Sequence, residues 1–356
     1  MALRAAGAGR QGGLVLDGSH GEGGGQIVRT ALSLAVVSHR AVTITNVRAR
    51  RPRPGLQPQH LAAVRALAAV SDADVEGAEL GSTALRFVPR RIRAATYRFE
   101  VGTAGALSLI FQALLLPLAF ADAPSRVSLV GGTHVTWSPP FHYLAETFLP
   151  ALAAMGIRAE VTLRRWGWYP RGGGEMEAAI VPTARSALRG FVAETRDEVA
   201  PIRGVSAVSR LPRSIAERQQ RRAAERLAAA GVAAEIAIED RAPAVGPGTL
   251  VFLAIRGRAG FSALGRRGLP AEEVADAAVE SLLAYLASGA AVDEHLADQV
   301  VPFCALANTE SRFTCPTISL HLATVAWVVE QFLPVRIRLE AMQPARVRIT
   351  PARRSG

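Results

Sequence analysis

The chain has 356 residues, 49% hydrophobic and 20% charged, a globular composition with room for two domains or one large domain with an insert. A formal charge of +11 and a pI near 11.1 favour a polyanionic partner such as nucleic acid. All 41 basic residues are arginine, which excludes a Walker lysine and a lysine nucleophile; only Cys304 and Cys315 are present, which excludes a disulfide scaffold or a cysteine-rich zinc site.

The first thirteen residues, MALRAAGAGRQGG, lack the apolar core of a signal peptide and read as a disordered tail, 1–13. A strand at 13–16 then runs through DGSHGEGGGQIVRT, a glycine-rich loop, into an apolar helix over 25–37. AVTITNV alternates like a strand, an arginine- and proline-rich loop follows, and the next helix covers 60–70. VEGAEL and ALRFVP read as paired strands about a Gly81–Ser82 turn.

The order strand, helix, strand, helix, strand, strand then recurs. TYRFEV leads through GTAG into a helix over 106–120, followed by RVSLVG, the loop GGTHVTWSPP, a helix over 143–155, AEVTLRR and EMEAAIVP. The most apolar stretch, 106–121, is shorter than the ~20 residues of a membrane span and contains Gln112 and Pro117, so it reads as a buried helix of a soluble protein. A third copy runs from about Ala290, with helices over 295–306 and 320–332. Between the second and third copies, IRGVSAVS, an Arg- and Glu-rich helix over 214–230, AEIAIED, TLVFLAI, GFSALG and a helix over 271–286 form a different βαβββα pattern. The expected fold is α+β, with a large domain (14–185 and 289–350) built of three βαβαββ repeats. A small inserted domain, 186–288, carries four strands and two helices.

Three segments could carry chemistry. Read alone, the glycine loop is either a tight strand-to-helix turn or a phosphate cradle of backbone N–H groups, with Glu22 available to a metal and Arg29 to an anion. VRARRPRPGLQPQH crowds Arg48, Arg50, Arg51 and Arg53 into a loop stiffened by Pro52 and Pro54, and guanidinium forks match phosphate oxygens. His321, just before or inside an apolar helix, is either a packed residue or a nucleophile whose neutral nitrogen could attack phosphorus. His295, Asp298 and Gln299 in DEHLADQVVP carry the same ambiguity. No HExxH or GxSxG is present.

DGSHGEGGGQIVRTALSL, VRARRPRPGLQPQHLAAV, EGAELGSTALRF, GTAGALSLIFQ, GWYPRGGGE, HLADQ and SLH occur here in the order found in the RNA 3′-terminal phosphate cyclase family, which the chain resembles from about residue 14 to 340. The resemblance implies three βαβαββ repeats like the C-terminal domain of a translation initiation factor, plus a small inserted domain. It implies conversion of an RNA 3′-phosphate to a 2′,3′-cyclic phosphate, with ATP and a divalent metal, Mg²⁺ or Mn²⁺. In such enzymes a histidine is adenylylated, AMP passes to the RNA phosphate, and the vicinal 2′-OH displaces AMP. Carried over by motif, His321 would be the nucleophile and Glu22 the metal ligand. Arg29, Arg48, Arg51 and His60 would line the phosphate and RNA-end site, and Gln112 would contact the nucleotide. Pro139 and His295 would flank the adenine, with Asp298 and Gln299 completing the pocket. The sequence departs from the family pattern at His295, commonly tyrosine, and at Arg50, commonly glycine. A catalytically inactive cyclase-like protein of ribosome biogenesis is the alternative, while an enolpyruvyl transferase suits a lysine-free chain poorly. The expected partner is RNA with a 3′-phosphate in the cytoplasm, with no membrane; the oligomeric state is left open, a homodimer being one option.

Overall fold

The computed structural model describes residues 13–196, 202–241 and 243–351. All of the expected tail except Gly13 lies outside them. Strand β1 (Leu14–Asp17), helix α1 (Gly25–Ser38), β2 (Val42–Thr45), α2 (Pro58–Ser71), β3 (Asp74–Glu76) and β4 (Leu85–Val88) make the first sheet, in the order β1-β2-β4-β3. β1 and β2 run parallel and the other pairs antiparallel.

β5 (Thr96–Glu100), α3 (Leu107–Leu118), β6 (Ser125–Gly131), α4 (Phe141–Tyr143), α5 (Leu149–Met155), β7 (Arg158–Arg165) and β8 (Gly174–Val181) make the second, ordered β5-β6-β8-β7. After β9 (Val192–Ala193), a separate sheet forms from β10 (Ile202–Ser209), α6 (Arg213–Ala229), β11 (Ala234–Glu239), β12 (Gly248–Ile255), β13 (Ala259–Leu264) and α7 (Ala271–Ser288). Its order is β11-β10-β12-β13. The chain ends with α8 (Glu294–Cys304), β14 (Ser311–Cys315), α9 (Leu320–Phe332), β15 (Val335–Glu340) and β16 (Ala345–Pro351). These strands take up β9 to give β9-β14-β16-β15, the same order as the first two sheets.

Three local expectations change. VEGAEL is strand only to Glu76, because the following turn folds over the arginine loop: Gly81 N–H donates to the Leu56 carbonyl and Leu56 N–H to that of Ser82. The helix expected from 143 begins at Phe141 and passes through a π-helical stretch, Leu144–Phe148, ahead of Pro150. Proline has no N–H to give its turn, and the freed Glu146 carbonyl accepts from Gly257 of the separate sheet instead. The segment from 186, expected in the small domain, contributes β9 to the third sheet; that sheet is therefore interrupted by the separate one after its first strand.

Helix α1 is apolar on nearly every side, with Ile27, Val28, Ala31, Leu32, Leu34 and Ala35 all buried, because α2, α3 and α9 pack around it. α8 packs on α9 in turn. A continuous core joins these helices to the inner faces of the three similar sheets, and a second core lies under α6 and α7. The helix ends around α1 therefore converge on one place.

Candidate active site

The loop between β1 and α1 turns on Gly21 and Gly23, whose φ angles of 53° and 61° lie in the left-handed region that favours glycine. Helix α1 starts after Gly24 with no side-chain cap, leaving first-turn N–H groups open to an anion. The approach is crowded by design of the sequence: a Cβ at Gly25 would lie 2.1 Å from His60 Nε2. Glu22 N–H donates to Thr324 Oγ1 at 3.0 Å, tying this N-terminal loop to α9.

His321 is the second residue of α9, which is capped by Ser319 accepting from Leu322 N–H at 3.1 Å. Its Nδ1 lies 2.6 Å from Gln26 Oε1. The Gln26 amide nitrogen donates to Asp298 Oδ2 at 2.7 Å, which turns the amide oxygen toward the histidine. Nδ1 must then carry the proton, so Nε2 keeps a free lone pair. Desolvation, then the charges of His295, Arg51 and Arg29, push the His321 pKa down and favour the neutral ring. Asp298 is buried on α8, its Oδ1 has no hydrogen-bond partner, and burial pushes its pKa up to about 7 against the opposing Gln26 hydrogen bond.

Arg29, one turn along α1 from Gln26, has no ion pair among the described residues; desolvation brings its pKa down to about 10, so it stays cationic at neutral pH. His60 accepts the Gln57 N–H at Nδ1 (3.1 Å) within the capping box of α2. Burial, then Arg29 and Arg48, push its pKa down to about 3, so it is neutral with an Nε2–H donor beside Gly25. Gln112 on α3 donates to Gln299 Oε1 on α8 at 2.6 Å, and both line one cavity with Gln26, Arg29 and Asp298.

Of the expected site residues, the structure thus gathers Glu22, Arg29, His60, Gln112, Asp298, Gln299 and His321. Arg51 pairs with Glu22, whose Oε2 is buried without a hydrogen-bond partner. His295 is exposed on the first turn of α8. Arg48, with a φ of 54°, donates from one guanidinium nitrogen to the carbonyls of Arg53 and Gly55, and its charge acts on His60. Pro139 makes no hydrogen bond to the others among the described residues; it sits two residues before α4, whose Tyr143 hydroxyl donates to the Asp293 cap of α8 at 2.9 Å. Sequence reasoning did not single out Gln26 or Thr324. A glutamine three residues before Arg29 on an apolar helix was the available sign for the first.

Residues 20–339 match the sequence profile of the RNA 3′-terminal phosphate cyclase family. The RNA 3′-terminal phosphate cyclase of Methylococcus capsulatus is 49% identical over 337 residues, covering 91% of this chain and 92% of its own. This chain belongs to the RNA 3′-terminal phosphate cyclase family. The namesake from Pyrobaculum neutrophilum is 44% identical over 333 residues, covering 92% and 95%. The stretch matched to the cyclase family runs from the glycine loop through His321 and so contains every residue gathered here. Among solved structures, the enolpyruvyl transferase NikO from Streptomyces tendae matches with a TM-score of 0.28 at 17% identity, over 49% of this chain and 33% of that one, a likeness too slight to bear on fold or function. Among the described residues, no helix is long and apolar enough to cross a membrane.

Proposed function

We propose that this chain converts an RNA 3′-phosphate to a 2′,3′-cyclic phosphate at the expense of ATP, through adenylylated His321. The observation that carries this reading is the Asp298–Gln26–His321 chain, which holds the imidazole proton on Nδ1 and presents Nε2 as a nucleophile. The Nε2 lone pair attacks the α-phosphorus of ATP and the bond to pyrophosphate breaks. An oxygen of the RNA 3′-phosphate then takes the adenylyl group, breaking the N–P bond and restoring neutral His321. The vicinal 2′-OH attacks the activated phosphorus, AMP leaves, and the hydroxyl proton passes to solvent. Proximity of the two ribose oxygens drives the last step once AMP supplies a good leaving group. Arg29, the His60 Nε2–H and the open N–H groups of α1 stabilise the phosphate charge.

A divalent metal fits the site through Glu22. Among the described residues no group of three or more His, Cys, Asp or Glu side chains could hold one. The buried Glu22 Oε2, on a carboxylate whose other oxygen pairs with Arg51, would be a single protein ligand, and Mg²⁺ is commonly held by one or two carboxylates plus substrate phosphates. When bound, the metal would neutralise charge on the departing pyrophosphate. The same reading takes the three similarly ordered sheets as βαβαββ units of one catalytic domain, with β10 to β13, α6 and α7 as an inserted domain. Two buried free cysteines suit a reducing cytoplasm.

The test is incubation with Mg²⁺ and ATP labelled at the α-phosphate, without RNA. Acid-labile label should appear on the wild type and be absent from His321→Ala. Unlabelled wild type, or full labelling of the variant, would overturn the mechanism and leave a binding role.

A further inference from the structure

The outer face of the third sheet holds a run of five arginines, four of them without an ion pair among the described residues. Side chains alternate along β15 and β16, so Arg336, Arg338, Arg346 and Arg348 all point outward and are exposed. The register places Arg312 of β14 directly opposite Arg348, and Arg348 directly opposite Arg338. One row across three adjacent strands is therefore all arginine, at a strand spacing of about 4.8 Å. Like charges directly opposite one another destabilise a sheet. Glu340, opposite Arg346, is the only acidic side chain facing this way from the three strands. Among the described residues Arg336, Arg338, Arg346 and Arg348 make no ion pair, while Arg312 meets Glu194 and Glu310 at 3.5 and 3.7 Å.

Arginine-rich composition alone does not explain this face, because on the other similar sheets three outward arginines meet carboxylates across the strands, although Arg126 and Arg158 of the second sheet make no ion pair among the described residues. Arg98 meets Glu175 at 2.9 Å and Arg164 meets Glu177 at 2.8 Å on the second sheet; Arg86 meets Glu76 at 2.7 Å on the first. The outward positions of β14, β15 and β16 also carry no aromatic side chain of the kind that anchors a protein in a lipid interface. It lies one layer beneath α9, the helix whose first turn holds His321.

We propose that the outer face of β14, β16 and β15 binds the phosphodiester backbone of the substrate RNA, upstream of the 3′ end that enters the active site. This rests on the function proposed above. Guanidinium forks bind phosphate oxygens bidentately and without regard to base sequence, so the face would add affinity for longer RNAs while leaving the chemistry untouched.

The test uses the full chain, a fluorescent RNA of about 20 nucleotides and one of about 3, both with a 3′-phosphate. Arg338→Gln/Arg348→Gln is compared with the wild type and with Arg98→Gln/Arg164→Gln as a control for net charge. Losing two phosphate contacts should lower the slope of log affinity against log salt by about 1.4 and raise the KM of the long RNA about tenfold. The KM of the short RNA, kcat and labelling by ATP alone should stay at wild-type values. Equal affinity and slope for variant and wild type would overturn the proposal, as would an equal loss in the control. So would loss of binding to vesicles containing phosphatidylserine with RNA affinity unchanged. If the wild type neither takes label nor cyclises RNA, the proposed function fails, yet the salt slopes still decide the role of the face.

Discussion

Replacing Gln26 with leucine removes the bridge between Asp298 and His321 while keeping most of the side-chain volume. Two hydrogen bonds go: 2.6 Å to His321 Nδ1 and 2.7 Å from the amide nitrogen to Asp298. A neutral hydrogen bond contributes roughly 1 kcal/mol net and one to a charged group about 1.5–3 kcal/mol, so folding stability should fall by about 2–4 kcal/mol. The catalytic loss comes from the first bond alone, because without an acceptor at Nδ1 the proton is free to occupy Nε2 and block attack. A bias of about 1.4–2.8 kcal/mol in tautomer and orientation corresponds to a ten- to hundredfold slower reaction. The assay is the single-turnover rate of protein labelling from ATP carrying α-phosphate label, with unfolding followed separately in urea. Gln26→Glu separates the two roles: it keeps an acceptor for Nδ1–H but loses the donor to Asp298, so labelling should be largely retained while stability falls. A Gln26→Leu protein that labels at the wild-type rate would refute the assignment of Nε2 by this bridge.

Asp298 sets a pH dependence. Its folded pKa of about 7 lies above the ordinary 3.8 because of burial, so its contribution to stability is full below pH ~4 and is lost as pH rises through 7. About three pH units at ~1.4 kcal/mol each make roughly 4 kcal/mol; Asp298→Asn should therefore gain Tm over the wild type at pH 8 relative to pH 4, and parallel pH curves would contradict the burial argument. Gly25→Ala should cost about 1–3 kcal/mol in urea unfolding, since the new Cβ meets the buried His60 ring at 2.1 Å and must displace it; an unchanged midpoint would show that His60 is free to move. Tyr143→Phe removes the donor to Asp293, the carboxylate that also caps α8 and accepts Gly260 N–H at 2.8 Å, and should lower stability by about 1.5–3 kcal/mol. Little change in the urea midpoint would mean that the cap alone holds that corner.

The first two sheets were legible because their strands alternate and their helices carry long apolar faces, so period and order could be followed directly. The first strand of the third sheet was not, because Val192–Ala193 is two residues long and pairs with β14 across the whole separate sheet. Local patterning has no access to such a pairing. The chemistry divides in the same way: the glycine loop, the arginine loop and His321 announce themselves by residue type and order. Gln26 matters only through partners 272 and 295 residues away, and nothing in its neighbourhood says so. Arg48 carries a second role that its charge did not announce, since its left-handed backbone lets one guanidinium nitrogen tie the loop carbonyls together.

The span of the Gln26–His321 contact also fixes the order of events at birth. Chains emerge N-terminus first, and long-range pairings close slowly because loop entropy must be overcome before they form. The glycine loop, Arg29, His60 and Gln112 are synthesised while α8, α9 and the rest of the third sheet are still to come. A nascent chain can therefore build the α1 half of the candidate site before His321 exists. The candidate site is complete only when the last elements dock on α1, so a polypeptide terminated before α9 has the Gln26 bridge with nothing to hold.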